Sequence, residues 1–140
     1  MIKDGKLHRL VKSGIVLALL LVLSLTVACS SSKEVKLGAA DDGQKIEITK
    51  GQIIAISLDS NPSTGYSWEA SDLDESILSQ EGESEFKSEA KPNVVGAGGV
   101  ETLRFKAVET GETMLKLIYH RSWEKDVAPE QTFTVQVTVR

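Results

Sequence analysis

From residue 45 onward, the apolar positions of this chain fall two apart. Ile46 and Ile48 alternate with Glu47 and Thr49, and Ile54, Ile56 and Leu58 with Ala55 and Ser57. Leu103 and Phe105 alternate with Arg104 and Lys106; Phe133, Val135, Val137 and Val139 alternate with Thr134, Gln136 and Thr138. Met114, Leu115, Leu117 and Tyr119 make a fuller run. A period of two turns one face of a strand inward and leaves the other wet, so these segments predict half-buried strands. Turn residues separate them at Lys50-Gly51, Asn61–Gly65, Gly96–Gly99 and Glu109–Gly111. Short strands at that spacing predict an all-β protein, a β-sandwich. The pattern over Asp72–Gln80 fits either a turn of helix or a short irregular strand. Glu81–Asn93 is the most charged and least patterned part and reads as a loop or mobile edge strand.

The N-terminal 28 residues follow a different rule. Lys3, Lys6, Arg9 and Lys12 precede an apolar run from Ile15 to Val27, which is short for a bilayer span. Small residues and Cys29 close it, so residues 1–28 read as a signal peptide. Cys29 is the only cysteine and can form no internal disulfide. Thr26-Val27-Ala28-Cys29 resembles a bacterial lipobox, with Thr26 where that pattern usually has Leu. The resemblance implies lipidation of Cys29 and an exported, membrane-anchored domain, facing the periplasm or the cell surface. Residues 29–42 then read as the lipidated Cys and a flexible tether, and 43–140 as the domain.

Charge and side-chain inventory narrow the function. The whole chain carries 16 Lys and Arg against 20 Asp and Glu; losing the signal's four bases and one acid leaves 12 against 19, a formal charge of −7. Such a surface repels nucleic acid, which is bound through cationic contacts to phosphate. A hydrolase needs a nucleophile with a base, paired carboxylates or a metal. Beyond the signal the chain keeps one histidine, His120, at a strand end, and no His or Cys pair has metal-ligand spacing. These residues predict neither an enzyme nor a cofactor.

Three loops hold what remains. Asn61-Pro62-Ser63-Thr64-Gly65-Tyr66 specifies a shaped tip: Pro62 fixes φ, Gly65 admits φ > 0, and Asn61 can bond back to its own backbone. Gly96-Ala97-Gly98-Gly99 precedes a strand rather than a helix, so it is no phosphate cradle. On its own it reads as a flexible turn. Arg121-Ser122-Trp123 sets a large aromatic ring in a polar loop, where it either folds back onto the sandwich edge or serves as a contact. Trp68 reads as core.

Together the three loops resemble, in order, the NPTTGY-type, GxGG and RPW-type loops of the chagasin-like cysteine-protease inhibitors. The similarity runs from about residue 36 to residue 140. It implies an immunoglobulin-like sandwich with the loops at one end, acting as a reversible, competitive, non-covalent inhibitor of papain-like cysteine proteases. On that resemblance Asn61, Pro62, Ser63, Thr64, Gly65 and Tyr66 enter the protease cleft, with Thr64 towards the catalytic Cys–His pair. Gly96, Gly98 and Gly99 lie along the cleft by backbone hydrogen bonds, and Arg121 and Trp123 brace the other side. Ser63 and Ser122 depart from the family's Thr and Pro, and Ser122 implies weaker anchoring of the third loop. The competing expectation is a surface lipoprotein that uses the same sandwich as a non-inhibitory binding module. A monomer is expected in either case.

Overall fold

The computed structural model describes residues 33–91 and 94–140. Residues 1–28, expected to be a signal peptide, and Cys29, the expected lipidation site, lie outside the described residues. Two sheets face each other. The first joins β1 (Val35–Leu37), β3 (Ile53–Ser60) and β7 (Gly99–Ala107), and both β5 (Leu78–Gln80) and β6 (Glu85–Ser88) pair along the far edge of β7. The second runs β2 (Lys45–Ile48), β9 (Gln131–Val139), β8 (Gly111–His120) and β4 (Ser67–Ser71). The pairings β1–β3 and β2–β9 are parallel and the others antiparallel.

The alternation in the sequence is the alternation of burial. Ile54, Ile56 and Leu58 of β3, Leu103, Phe105 and Ala107 of β7, and Phe133, Val135, Val137 and Val139 of β9 all point into one core. Phe105 and Phe133 are its largest fully buried side chains. Each buried side chain of this class contributes about 1.5–3 kcal/mol relative to exposure.

Two expectations change and two open points resolve. Residues 33–42 are not simply a tether: Val35–Leu37 adds a strand beside Ile54–Ile56, Leu37 is buried, and Ala39–Asp41 makes a 3-10 turn. A three-residue strand was too short for its alternation to stand out. Met114, at the start of the fuller run, is exposed, because Leu115, Leu117 and Tyr119 fix the inward phase of β8. The open alternative at Asp72–Gln80 resolves as a turn leading into strand β5. The last change concerns Gly99, which is already part of β7.

Strand register gathers the three motif loops. Ser60 pairs with Gly99, Ser67 with His120, and Tyr119 with Gln131. The first loop leaves β3 and enters β4, the second enters β7, and the third leaves β8 and enters β9. All of these strand ends therefore lie at one pole of the sandwich.

Candidate functional site

The first loop is built almost entirely from its own sequence. Pro62–Thr64 forms a 3-10 turn, and Gly65 ends it at φ +82°. The Thr64 amide donates to the Asn61 carbonyl at 3.0 Å, and the Gly65 amide to the Pro62 carbonyl at 3.0 Å. Thr64 Oγ1 donates to the same Asn61 carbonyl at 2.6 Å, and Ser63 Oγ donates to Asn61 Oδ1 at 2.6 Å. Asn61 does not bond to its own backbone as the sequence suggested. Its Nδ2 donates to the Gly96 carbonyl at 3.2 Å and ties the first loop to the second. Pro62, Ser63 and Thr64 remain exposed at the tip.

Below the tip an aromatic stack carries the loop. Tyr66 lies on Tyr119 with ring centroids 5.2 Å apart, and Tyr119 meets Trp68 at 5.1 Å. The Tyr119 hydroxyl accepts from the Asn61 amide at 2.9 Å. Trp68 is buried and its indole N–H donates to the Asp59 carbonyl at 2.9 Å, consistent with the core role expected of it. Stacked rings, with the Tyr119 hydroxyl and the Trp68 indole N–H partnered, give a stiff base, which lowers the ordering cost of any later contact.

The second loop divides into two parts. Gly96 takes φ +78°, a left-handed conformation that favours glycine. Gly98 is exposed, with its carbonyl accepting from the Glu89 amide at 3.3 Å. Gly99 is buried between Ser60 and Ser88 on neighbouring strands. A Cβ there would overlap the Lys87 carbonyl, so internal packing accounts for this glycine and its backbone is occupied within the sheet.

The third loop leans on the first. Arg121 Nε donates to the Thr64 carbonyl at 3.0 Å, and its guanidinium lies 4.4 Å from the centre of the Tyr66 ring. Glu124 pairs with the same guanidinium at 3.1 Å. The Glu124 amide donates to the Arg121 carbonyl at 3.1 Å, closing a turn with Ser122 and Trp123 at its centre. Ser122 therefore occupies the second turn position, where Pro is favoured. Trp123 is 65% exposed, so it does not fold back into the sandwich edge. The outer end of its ring sits over Gly65, where a Cβ would overlap Cη2 and lie 2.9 Å from Cζ2.

Two residues of this pole escaped the sequence reading. The sequence places Tyr119 in a strand; its hydroxyl and ring also support the tip. Glu101 is a charged residue in the inward phase of β7, two positions before Leu103, and is 3% exposed. That break in alternation was the available signal. His120 hydrogen-bonds Glu69 across β4 and β8 at 2.7 Å, on the outer face. Among the described residues no group of three His, Cys, Asp or Glu side chains could hold a metal ion.

Comparisons with known proteins place the chain in a family of peptidase inhibitors. The family model described as the chagasin family peptidase inhibitor I42 matches residues 47–137. Amoebiasin-2 of Entamoeba histolytica is 34% identical over 102 residues, covering 71% of this chain and 80% of the relative. Chagasin of Trypanosoma cruzi is 29% identical over 105 residues, covering 71% and 93%. The crystal structure of the cysteine protease inhibitor EhICP2 from Entamoeba histolytica superposes with a TM-score of 0.66 at 30% identity, covering 76% of this chain and 96% of that one. The shared fold is the immunoglobulin-like β-sandwich.

Proposed function

Because this chain belongs to the chagasin family of peptidase inhibitors, we propose that it blocks papain-like cysteine proteases by filling their active-site cleft with its three-loop pole. It is an inhibitor rather than an enzyme. The observation that carries the loop assignment is the bracing of the first loop by the third. Arg121 holds the Thr64 carbonyl while the Trp123 ring covers Gly65.

That bracing suits an inhibitor that must not become a substrate. Attack by a protease thiolate needs a carbonyl that can turn towards it and a leaving amide that can depart. Rotating the Thr64–Gly65 peptide would break the Arg121 hydrogen bond and disturb a turn closed by two backbone bonds. Pro62, Ser63 and Thr64 supply the tip, and Gly65 keeps it slim. Trp123 supplies exposed aromatic area beside it, the kind of residue enriched at interface hot spots. Gly96 and Gly98 leave room for a second chain to approach the backbone. No covalent bond is formed, so inhibition is reversible, and a filled cleft excludes substrate, so it is competitive.

Export and anchoring through a lipidated Cys29 complete the reading. They rest on the leader sequence, with an acidic domain held at a membrane surface. Mass spectrometry of the protein from its native cell, beside a Cys29→Ser variant, tests the lipid directly. For inhibition, residues 30–140 are titrated into active papain at several substrate concentrations. One-to-one saturation with an apparent constant that rises with substrate is expected. A folded domain that leaves papain and a cathepsin-like enzyme untouched would transfer the weight to a non-inhibitory binding module.

A further inference from the structure

We propose that Glu101, which the three loop motifs do not include, is the positioning residue that fixes both roots of the first loop. The inference rests on the inhibitory reading above for its consequence, but its geometry stands independently. Glu101 lies in the inward phase of β7 among apolar neighbours and is 3% exposed. Removing a carboxyl from water is costly unless hydrogen bonds replace the lost solvent.

Three donors replace it, and two of them flank the loop. Glu101 Oε2 accepts from Ser60 Oγ at 2.8 Å and from the Trp68 amide at 3.2 Å. Ser60 is the residue before Asn61, and Trp68 is the second residue after Tyr66. One oxygen thus holds the entry and the exit of Asn61–Tyr66, and it does so across the two sheets, since Ser60 is in β3 and Trp68 in β4. The other oxygen, Oε1, accepts from Ser84 Oγ at 2.7 Å, just before β6. Among the described residues every buried side-chain polar atom is partnered.

The chemistry required is an acceptor at Oε2. The Trp68 amide can only donate, whereas the serine hydroxyls can donate or accept. A glutamine at 101 can aim its oxygen at Ser60 and Trp68 and donate its amide to Ser84 Oγ. A leucine of similar volume offers nothing to Trp68 and leaves that amide and the buried Ser60 hydroxyl unpaired.

The test uses the compact unit Ser32–Arg140, with Glu101→Leu, Glu101→Gln and, as a destabilised control at the other pole, Val137→Ala. Hydrogen exchange of residues 61–68 is measured without protease, and papain inhibition separately. For Glu101→Leu, exchange in 61–68 rises at least about tenfold and the inhibition constant weakens by a similar factor, while Glu101→Gln stays within about threefold of native in both. Val137→Ala lowers the melting temperature and changes neither. Native-like exchange in the Leu variant, a Gln variant as loose as the Leu one, or equal loosening by Val137→Ala would each overturn the proposal. If the Leu variant does not fold, Ser60→Ala reads the same point: faster exchange at 61–68 supports it and unchanged exchange refutes it. A domain that never inhibits papain would sink the inhibitory reading and leave the exchange result to stand alone.

Discussion

The two poles of this sandwich close the same strands by different means. At the far pole, Thr49–Gln52 and Val108–Thr110 are short turns held mainly by backbone bonds. Gly51 donates to the Ala107 carbonyl at 2.8 Å, and Ala107 donates to the Gln52 carbonyl at 2.9 Å. Its side-chain contacts are exposed: Gln52 Oε1 accepts from the Thr49 amide at 2.7 Å, and Lys50 pairs with Glu109 at 2.8 Å. At the loop pole, Asn61–Tyr66 and Arg121–Glu130 are longer and tied by side chains: Asn61 to Gly96, Tyr119 to Asn61, Arg121 to Thr64, Glu101 to Ser60 and Trp68. The far pole finishes strands. The near pole holds a surface in one shape, as the proposed inhibitory role requires.

Glycines at the two poles offer the sharpest way to break this contrast. Gly65 and Gly51 share a left-handed conformation, at φ +82° and +90°, but only Gly65 has a neighbour where a Cβ would go. Each change to Ala strains the backbone by about 1–3 kcal/mol. Gly65→Ala also displaces Trp123, and we expect it to weaken papain inhibition by about a hundredfold or more, as loss of a hot-spot geometry does. Gly51→Ala lowers the melting temperature and leaves inhibition unchanged. Equal effects of the two on inhibition would erase the distinction between the poles.

Next in size is Trp123→Ala, with a loss of about thirtyfold, a hot-spot value near 2 kcal/mol. The residue is 65% exposed, so the melting temperature should barely move in a thermal scan. Ser122→Pro sharpens the comparison in the other direction. The turn Arg121–Glu124 already forms with Ser122, and a proline at its second position removes unfolded-state freedom worth about 0.4–1 kcal/mol. Inhibition should tighten by a few-fold; no tightening would mean that Ser122 already gives a rigid loop.

The smallest effect belongs to the far pole. The hydrogen bond from Lys50, helped by the Thr110 amide, holds the Glu109 carboxyl below its ordinary range. A carboxyl with a lowered folded-state pKa adds stability above the unfolded pKa and loses it as pH falls through the folded one. Both groups are exposed, so solvent screens the pair and the gain is slight. Lys50→Ala should flatten the acid limb of the melting-temperature profile a little and leave inhibition at neutral pH unchanged.

Much of this was legible in the sequence, for identifiable reasons. Period-two alternation exposes long strands such as β7 and β9, because each residue repeats the evidence of the last. It is silent on β1, whose three residues repeat nothing. The tip Asn61–Tyr66 was readable because its conformation is local, set by Pro62 and Gly65. The bonds from Arg121 to Thr64 and from Tyr119 to Asn61 join residues 57 and 58 positions apart, and no local pattern announces them. Gly99 shows the limit of motif reading. It belongs to the GAGG string, yet the structure uses its missing side chain to seat Lys87 and Ser88. Glu101 shows the reverse case, since a carboxylate in a core phase was visible and only its partners were not.

The most direct measurement is the rate at which an alkylating reagent labels the catalytic cysteine of papain, with and without one equivalent of this protein. A loop pole seated in the cleft covers that thiol, so labelling should nearly stop, and it should return when Gly65→Ala replaces the native chain. Undiminished labelling while a one-to-one complex forms would place the contact elsewhere on the protease and contradict a cleft filled by these three loops.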